Sequence, residues 1–253
     1  NTTGCSFLPV DEDTVIVSPT TAGGTLSGVD TVCKGSNSGV LTLGADAIGD
    51  VVKWEYSEDN GATWTDINST ATTYTYTNLT TTTLFRVLVQ SGVCPSEYST
   101  TVQIVVNELP MVEIAGVGAG SICENSSTYV LVTVSNVSST QAWEITYTEG
   151  SVTKTKTGTG PGTDTLFTDN LAKNTTITLQ KIRITSGAPT CENNNLNTRH
   201  ITTIKVVDNP LATITSYPSD VCKGTNPEIT VLVSKVNSTE SWTLVYRVNN
   251  GSS

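Results

Sequence analysis

Short runs in which apolar and polar residues take turns recur along the whole chain. Val40-Leu41-Thr42-Leu43 and Thr73-Tyr74-Thr75-Tyr76-Thr77 are examples, each set between Gly, Asn, Asp or Pro. A period of two puts successive side chains on opposite faces of an extended strand. The pattern predicts strands near residues 25–32, 39–44, 51–57, 63–67, 72–77, 83–91 and 98–106. Similar pieces follow: TYVLVTVS, QAWEITYT, TKTKTGTG, DTLFTDNL, TITLQKIRI and RHITTIKVV. No window shows apolar residues at i, i+3, i+4 and i+7 over three turns, so the class is all-β.

Three landmarks recur on this pattern. Cys33, Trp54 and Cys94 are followed by Cys123, Trp143 and Cys191, and then by Cys222 and Trp242. The cysteine-to-tryptophan steps are 21, 20 and 20 residues. An early cysteine, a central tryptophan and a late cysteine among short strands mark an immunoglobulin-like β-sandwich, here in tandem. Residues 1–19 read as the end of a preceding domain, 20–107 and 108–208 as complete domains, and 209–253 as the first part of another. The last would lack half its strands, so the sequence is expected to be a window on a longer protein. Asn107-Glu108-Leu109-Pro110 and Asp208-Asn209-Pro210 close two of these domains; proline stops a strand and stiffens a short joint.

The repeat predicts one disulfide per domain, Cys33–Cys94 and Cys123–Cys191, leaving Cys5 and Cys222 unpaired within the chain. Cys5 reads as the late cysteine of the preceding domain, or else as a free or intermolecular thiol. Each predicted bond closes a loop of 61 or 68 residues; the chain-entropy model values such a cross-link at roughly 4 kcal/mol. Trp54, Trp143 and Trp242 are the predicted core, with Leu79 and Leu171 plugging the corner between sheets. Glu58-Asp59-Asn60-Gly61 reads as the turn that joins two of these strands in a hairpin, because Asn and Gly both tolerate φ > 0.

Thr and Ser are abundant, and only 14% of residues are charged. The net charge of −10 and 13 scattered basic residues exclude a phosphate-binding surface, and so nucleic acid. No run of 18 apolar residues is present, so no helical membrane span is expected. Cysteine in a Thr-rich β chain points to an oxidising compartment, whereas a single histidine and no CxxC make zinc a poor alternative.

Candidate chemistry is sparse. His200 lies on a predicted strand with nothing marking a nucleophile or acid for it, and is expected to be a surface residue. Ser57 to Trp64 fits S-x-D-x-G-x-x-W, an Asp-box pattern; a hairpin capped by Asp59 over Trp64 accounts for it. No cofactor is expected. Asp11-Glu12-Asp13, Asp46 with Asp50, and Glu58-Asp59 are read as solvated loop acids, and Asp11 to Asp13, near the first joint, is the place where calcium would fit. Tyr74, Tyr76 and Trp64 suit core and cross-strand packing better than a sugar-stacking platform. Sequons such as Asn68, Asn78, Asn125, Asn136, Asn174 and Asn237 are expected by chance in so Ser- and Thr-rich a chain. No enzyme is expected.

GTLSGVDTVCKGSNSGVLTL, KWEYSEDNGATWTDI and TYTYTNLTTTTLFRVLVQSGVCPSEYSTTVQIVV resemble the Ig-like repeats of giant Bacteroidota surface proteins, including SprB-type gliding-motility adhesins exported by the type IX secretion system. The resemblance is close over residues 20–107 and looser beyond, where the Asp-Asn-Gly hairpin and the second tryptophan are lost. It implies a filamentous, repeat-built protein at the cell surface, partnered by neighbouring repeats, by secretion or motility machinery and by surface or glycan ligands. It also implies O-glycosylation at Asp-Ser/Thr-apolar triplets, which would fall on Thr14, Thr31 and Thr165. The reading from another class is a spacer or carbohydrate-binding accessory region of a secreted hydrolase.

Overall fold

The computed structural model describes residues 16–28, 31–196, 198–222, 224–236 and 241–246. The chain divides into two compact units, Asn1–Leu109 and Pro110–Ser253. In the first, the predicted alternation becomes, among the described residues, nine strands: β1 (Leu26–Ser27), β2 (Thr31–Cys33), β3 (Ser38–Leu43), β4 (Asp50–Ser57), β5 (Thr65–Ile67), β6 (Thr73–Thr77), β7 (Thr83–Gln90), β8 (Glu97–Tyr98) and β9 (Val102–Asn107). They form two sheets. One is ordered β1-β3-β6; the other is ordered β2-β9-β7-β4-β5, with β8 also pairing β7. This is an immunoglobulin-like β-sandwich.

The second unit repeats the arrangement. Its strands are β10 (Met111–Val117), β11 (Ser121–Cys123), β12 (Tyr129–Ser135), β13 (Ala142–Glu149), β14 (Val152–Thr159), β15 (Gly162–Phe167), β16 (Thr175–Ile184), β17 (Glu192–Asn193) and β18 (Ile201–Val207). The sheets are β10-β12-β15 and β11-β18-β16-β13-β14, with β17 beside β16. Each strand of the first unit thus has a counterpart. Two more strands, β19 (Leu211–Ser216) and β20 (Thr230–Ser234), pair only with each other among the described residues.

Alternation explains what each sandwich buries. On β7 the inward residues Phe85, Val87 and Val89 are all at most 2% exposed, while their neighbours on either side are half-buried. Trp54 is fully buried and its indole N–H donates to the Ala71 carbonyl at 2.9 Å. Trp143 is 3% exposed and donates to the Gly160 carbonyl at 2.8 Å. An indole inside an apolar core needs such an acceptor, and both repeats supply it from the same place, seventeen residues downstream. Tyr74 and Tyr76 also turn inward. Tyr76 is 2% exposed and stacks on Phe85, and Tyr74 rests against Trp54 and Phe85, so neither forms an outer platform.

Leu171 is buried and Leu79 packs against the first core. Trp242 departs from its expected place and is 53% exposed. Among the described residues after 208 there is one hairpin and no second sheet to pack over it. His200 also departs: it lies in a 3-10 turn, Thr198–His200, immediately before β18.

Trp54→Phe keeps most of the buried area but removes the indole donor and leaves the Ala71 carbonyl unpaired. We expect a loss of about 1–3 kcal/mol in the urea unfolding of the first unit. Trp54→Ala is expected to cost about 3–5 kcal/mol.

Candidate functional site

The features that could carry function sit at the two ends of each sandwich and on one outer face. The opening strand β2 runs parallel to the closing strand β9, with Thr31 beside Val105, Val32 beside Val106 and Cys33 beside Asn107. In the second unit β11 and β18 pair in parallel in the same way, Ser121 with Lys205, Ile122 with Val206 and Cys123 with Val207. Two parallel strands point the same way. The early cysteine therefore ends up where the closing strand leaves the sandwich, at its outgoing end.

The loop after each early cysteine is pinned there. The Gly35 N–H donates to the Leu79 carbonyl at 2.9 Å, and the Asn125 N–H donates to the Leu171 carbonyl at 2.8 Å. Asn37 adds a side-chain brace, donating to the Cys33 and Leu79 carbonyls and accepting from the Leu79 N–H. The corner leucines thus act through their backbone as well as their side chains. Lys34 Nζ reaches Glu108 Oε1 at 2.8 Å, tying the same loop to the residues that follow β9.

The late cysteine lies at the opposite end. Cys94 follows β7, its N–H bonds the Ser91 carbonyl, and its thiol lies 3.4 Å from the Pro19 carbonyl. Ser91 in turn donates to Thr21 Oγ1 at 3.0 Å. Cys94 therefore sits beside the segment by which the chain comes in. In the second unit the Cys191 carbonyl accepts from the Ile184 N–H, and Asn193 Nδ2 donates to the Pro110 carbonyl at 3.0 Å. Cys191 is likewise at the incoming end.

This geometry overturns the predicted pairings. Asn107, beside Cys33, lies three residues along β9 from Ile104, which pairs Thr83; β7 then runs seven residues further to Gln90, short of Cys94. At about 3.3 Å per residue that separates Cys33 and Cys94 by roughly 30 Å, several times the reach of a disulfide. The same count places Cys123 and Cys191 at least as far apart. Cys94, Cys123 and Cys222 are free thiols, whereas Cys33 and Cys191 are disulfide-bonded. The bonds Cys33–Cys94 and Cys123–Cys191 are therefore not those of this protein. Cys5, Thr14 and the acidic run Asp11 to Asp13 lie outside the described residues. Thr31 on β2 and Thr165 on β15 are half-buried.

The outer face of the first unit carries a network that sequence reading missed. Arg86 on β7 stands opposite Glu55 on β4, and its guanidinium meets the carboxylate at 2.7 Å. Its planar group is held between the rings of Trp64 and Tyr98, 3.9 and 3.8 Å from their centroids. Lys53 Nζ bridges Glu55 at 2.6 Å and Asp66 at 2.7 Å, and the Tyr98 hydroxyl donates to Glu55. Burial alone would raise the Glu55 pKa, but hydrogen bonds from Lys53, Arg86 and Tyr98 outweigh it and hold it below the usual value. The hydrogen bond to Asp66, then that to Glu55, raises the Lys53 pKa. Glu144 and Arg183 form the same cross-strand pair in the second unit, at 2.9 Å. The signal was the Glu that directly follows each core tryptophan, together with the Arg inside each following apolar strand.

The Asp-box segment is a hairpin, as its turn residues require. Asn60 and Gly61 take φ of 59° and 89°. Asp59 accepts from the Thr63 hydroxyl and N–H and from the Ser57 hydroxyl, and these bonds lower its pKa to about 2. Among the described residues no group of three or more His, Cys, Asp or Glu is placed to hold a metal ion, and no helix is long and apolar enough to cross a membrane.

Residues 22–108 match the family described as "Domain of unknown function (DUF8696)". No curated protein matches the chain. Among solved structures, a marsupial T cell receptor aligns over 77% of this chain and 75% of its own at 11% identity and a TM-score of 0.41. A Ca2+-stabilised adhesin by which an Antarctic bacterium binds ice aligns over 78% of this chain and 53% of its own, at 11% identity and a TM-score of 0.35. Fibronectin(III)-like modules of CbhA from Clostridium thermocellum align over 72% and 93%, at 10% identity and a TM-score of 0.31. At such scores the fold rests on the sheets themselves.

Two outcomes are expected of this face. Arg86→Ala leaves buried Glu55 with Lys53 as its remaining counter-charge, and should cost about 2 kcal/mol in chemical denaturation. Asp59 has a folded pKa below the roughly 3.9 of an unfolded Asp, so the unfolded chain binds more protons between the two values. Its hairpin is therefore stabilised fully above about pH 4, and the stabilisation is lost as pH falls towards 2. NMR titration of the Asp59 carboxyl checks the value, and Asp59→Asn should flatten that part of the stability–pH curve.

Proposed function

We propose that this chain is a stretch of a long extracellular filament, built from Ig-like repeats, that extends a binding tip from the cell surface and transmits force without catalysing a reaction. The observation that carries this reading is the parallel pairing of the opening and closing strands in both units. It sends the chain in at one end of a sandwich and out at the other. A pull on the two ends then slides these strands past each other, so their hydrogen bonds are loaded together rather than one by one. A spacer under tension needs that geometry.

The disulfide-bonded Cys33 and Cys191 fit an oxidising, extracellular setting. The resemblance of residues 20–107 to SprB-type repeats supports an adhesin of that kind, exported by type IX secretion and serving surface adhesion or gliding. O-glycans at Thr14, Thr31 and Thr165 would belong to the same reading, as would neighbouring repeats, the motility machinery and surface glycans as partners. A sugar-binding accessory module has less support, because Tyr74 and Tyr76 are committed to the core and Trp64 lies under Arg86.

Fluorescent antibodies against residues 20–208, applied to live cells of the source organism, test this reading. Label held at the surface, extending outward or moving along the cell, is the expected result. Label found only in the medium, co-purifying with glycan-cleaving activity, would replace it with a hydrolase accessory region.

A further inference from the structure

The first unit keeps a cavity of about 250 Å³ between its two sheets, lined by β6 on one side and by β4 and β7 on the other. Burial grades the lining from floor to rim. Tyr76, Thr83 and Phe85 are at most 2% exposed, Tyr56 and Tyr74 are half-buried, and Glu58 and Thr77 are exposed. The tyrosine rings gather around Phe85, whose centroid lies 6.5 Å from Tyr56, 5.9 Å from Tyr74 and 6.1 Å from Tyr76. None of the described lining residues is Lys or Arg, so the formal charge of the cavity is that of Glu58.

Glu58 is held at the rim by the Asp-box hairpin. Ser57 Oγ donates to Asp59 Oδ1 at 2.7 Å and accepts from the Gly61 N–H at 2.8 Å. The Thr63 N–H donates to Asp59 at 2.9 Å, which fixes the backbone beyond it. On the floor, the Tyr76 hydroxyl is buried and has no hydrogen-bond partner among the described residues. A donor brought into the cavity beside its ring can satisfy it.

The second unit shows what chemistry suits such a place. Its inward strand pairs Val130–Leu166 and Val132–Asp164 stand where the first unit has Gly39–Tyr76 and Leu41–Tyr74. Ile145 lies two residues beyond Trp143, as Tyr56 lies beyond Trp54. Opposite Ile145 on β14 is Lys156, and its ammonium meets Asp164 at 3.0 Å. Lys154, on the same face of β14, meets Glu149 at 3.0 Å and Asp169 at 2.9 Å. The second unit thus closes its sheet edge with lysine ammonium groups of its own. In the first unit the residue opposite Tyr56 is Thr65, which is exposed and uncharged. There the slot and the carboxylate are present without the lysine.

We propose that this cavity binds an alkylammonium group supplied from outside the unit, carried by a lysyl side chain of a partner protein or by a free amine. The carbon stem packs on the aromatic walls. The charge is met by the negative faces of the rings and by the Glu58 carboxylate. A neutral group of the same size gains only the apolar contact, and an anion is repelled by both. The inference needs only the folded first unit, so it stands or falls apart from the filament reading.

The test is an NMR titration of the whole chain, residues 1–253, with n-butylammonium chloride, using sodium chloride at equal ionic strength and n-butanol as controls. The ring resonances of Tyr56, Tyr74 and Tyr76 should shift saturably with the amine, at millimolar affinity, and respond weakly to the controls. Glu58→Gln should weaken binding about fivefold. Thr65→Lys, an exposed substitution, carries an ammonium of the chain to the position that Lys156 holds and should abolish the shifts while the amide spectrum stays that of a folded protein. Nα-acetyl-lysinamide binding as tightly as n-butylammonium identifies a lysyl side chain as the occupant, whereas binding of n-butylammonium alone identifies a free amine. No saturable shift with either, shifts of equal size with n-butanol, or unchanged binding in the Thr65→Lys chain would each overturn the proposal.

Discussion

The parallel pairing of the first and last strands of each sandwich is the constraint from which the other features follow. Antiparallel neighbours can be joined by a tight turn, but a parallel pair has to be closed by everything between them. Here six further strands lie between β2 and β9, and they must travel away from the outgoing end and back. The pairing therefore sets the topology of the unit, the opposite placement of its two termini and the direction in which tension crosses it. It also separates the two cysteines of a repeat by the length of the sheet.

Packing and polar chemistry then secure that frame in two layers. Inside, Trp54 and Trp143 fill the space between sheets and settle their indole N–H groups on backbone carbonyls. Outside, a Glu–Arg pair crosses the central strands next to each tryptophan. In the first unit Trp64 and Tyr98 shield that pair on both faces, and Lys53 and Asp66 extend it to the sheet edge. In the second unit Arg183 is left exposed, which matches the loss of the second tryptophan from that repeat. The two repeats thus share a core design and differ in how much of the outer face is locked.

Much of this architecture could be read from the chain alone. Period-two alternation, β-branched residues and turn residues act over a few positions, so the strands of the first unit lie close to where the pattern put them. Asn60-Gly61 forms its hairpin because both residues tolerate φ > 0. The recurrence of cysteine, tryptophan and a closing Val-Val was enough to see a repeat, and burial of Trp54, Trp143 and Leu171 followed from apolar residues set in alternating strands. His200 was placed on a strand because the apolar run Ile201 to Val207 gives no sharp start. Trp242 lacks a covering sheet among the described residues, which is a matter of partners and not of local preference.

What the sequence determined by itself is the set of local facts: which residues extend, where the chain turns, which side chains point inward, and that the unit repeats. Those depend on neighbours within a few positions, where sterics and side-chain alternation decide. The pairing of the cysteines was decided only in three dimensions. Spacing along the chain says that Cys33 and Cys94 belong to one repeat, but whether they meet depends on strand direction, and each reversal of the chain carries a residue to the other end of the sheet. The same holds for Glu55 and Arg86, 31 residues apart in sequence and in direct contact across two strands. Register and direction are properties of the folded sheet, and in this protein they set both the ion pairs that lock its face and the ends at which its thiols emerge.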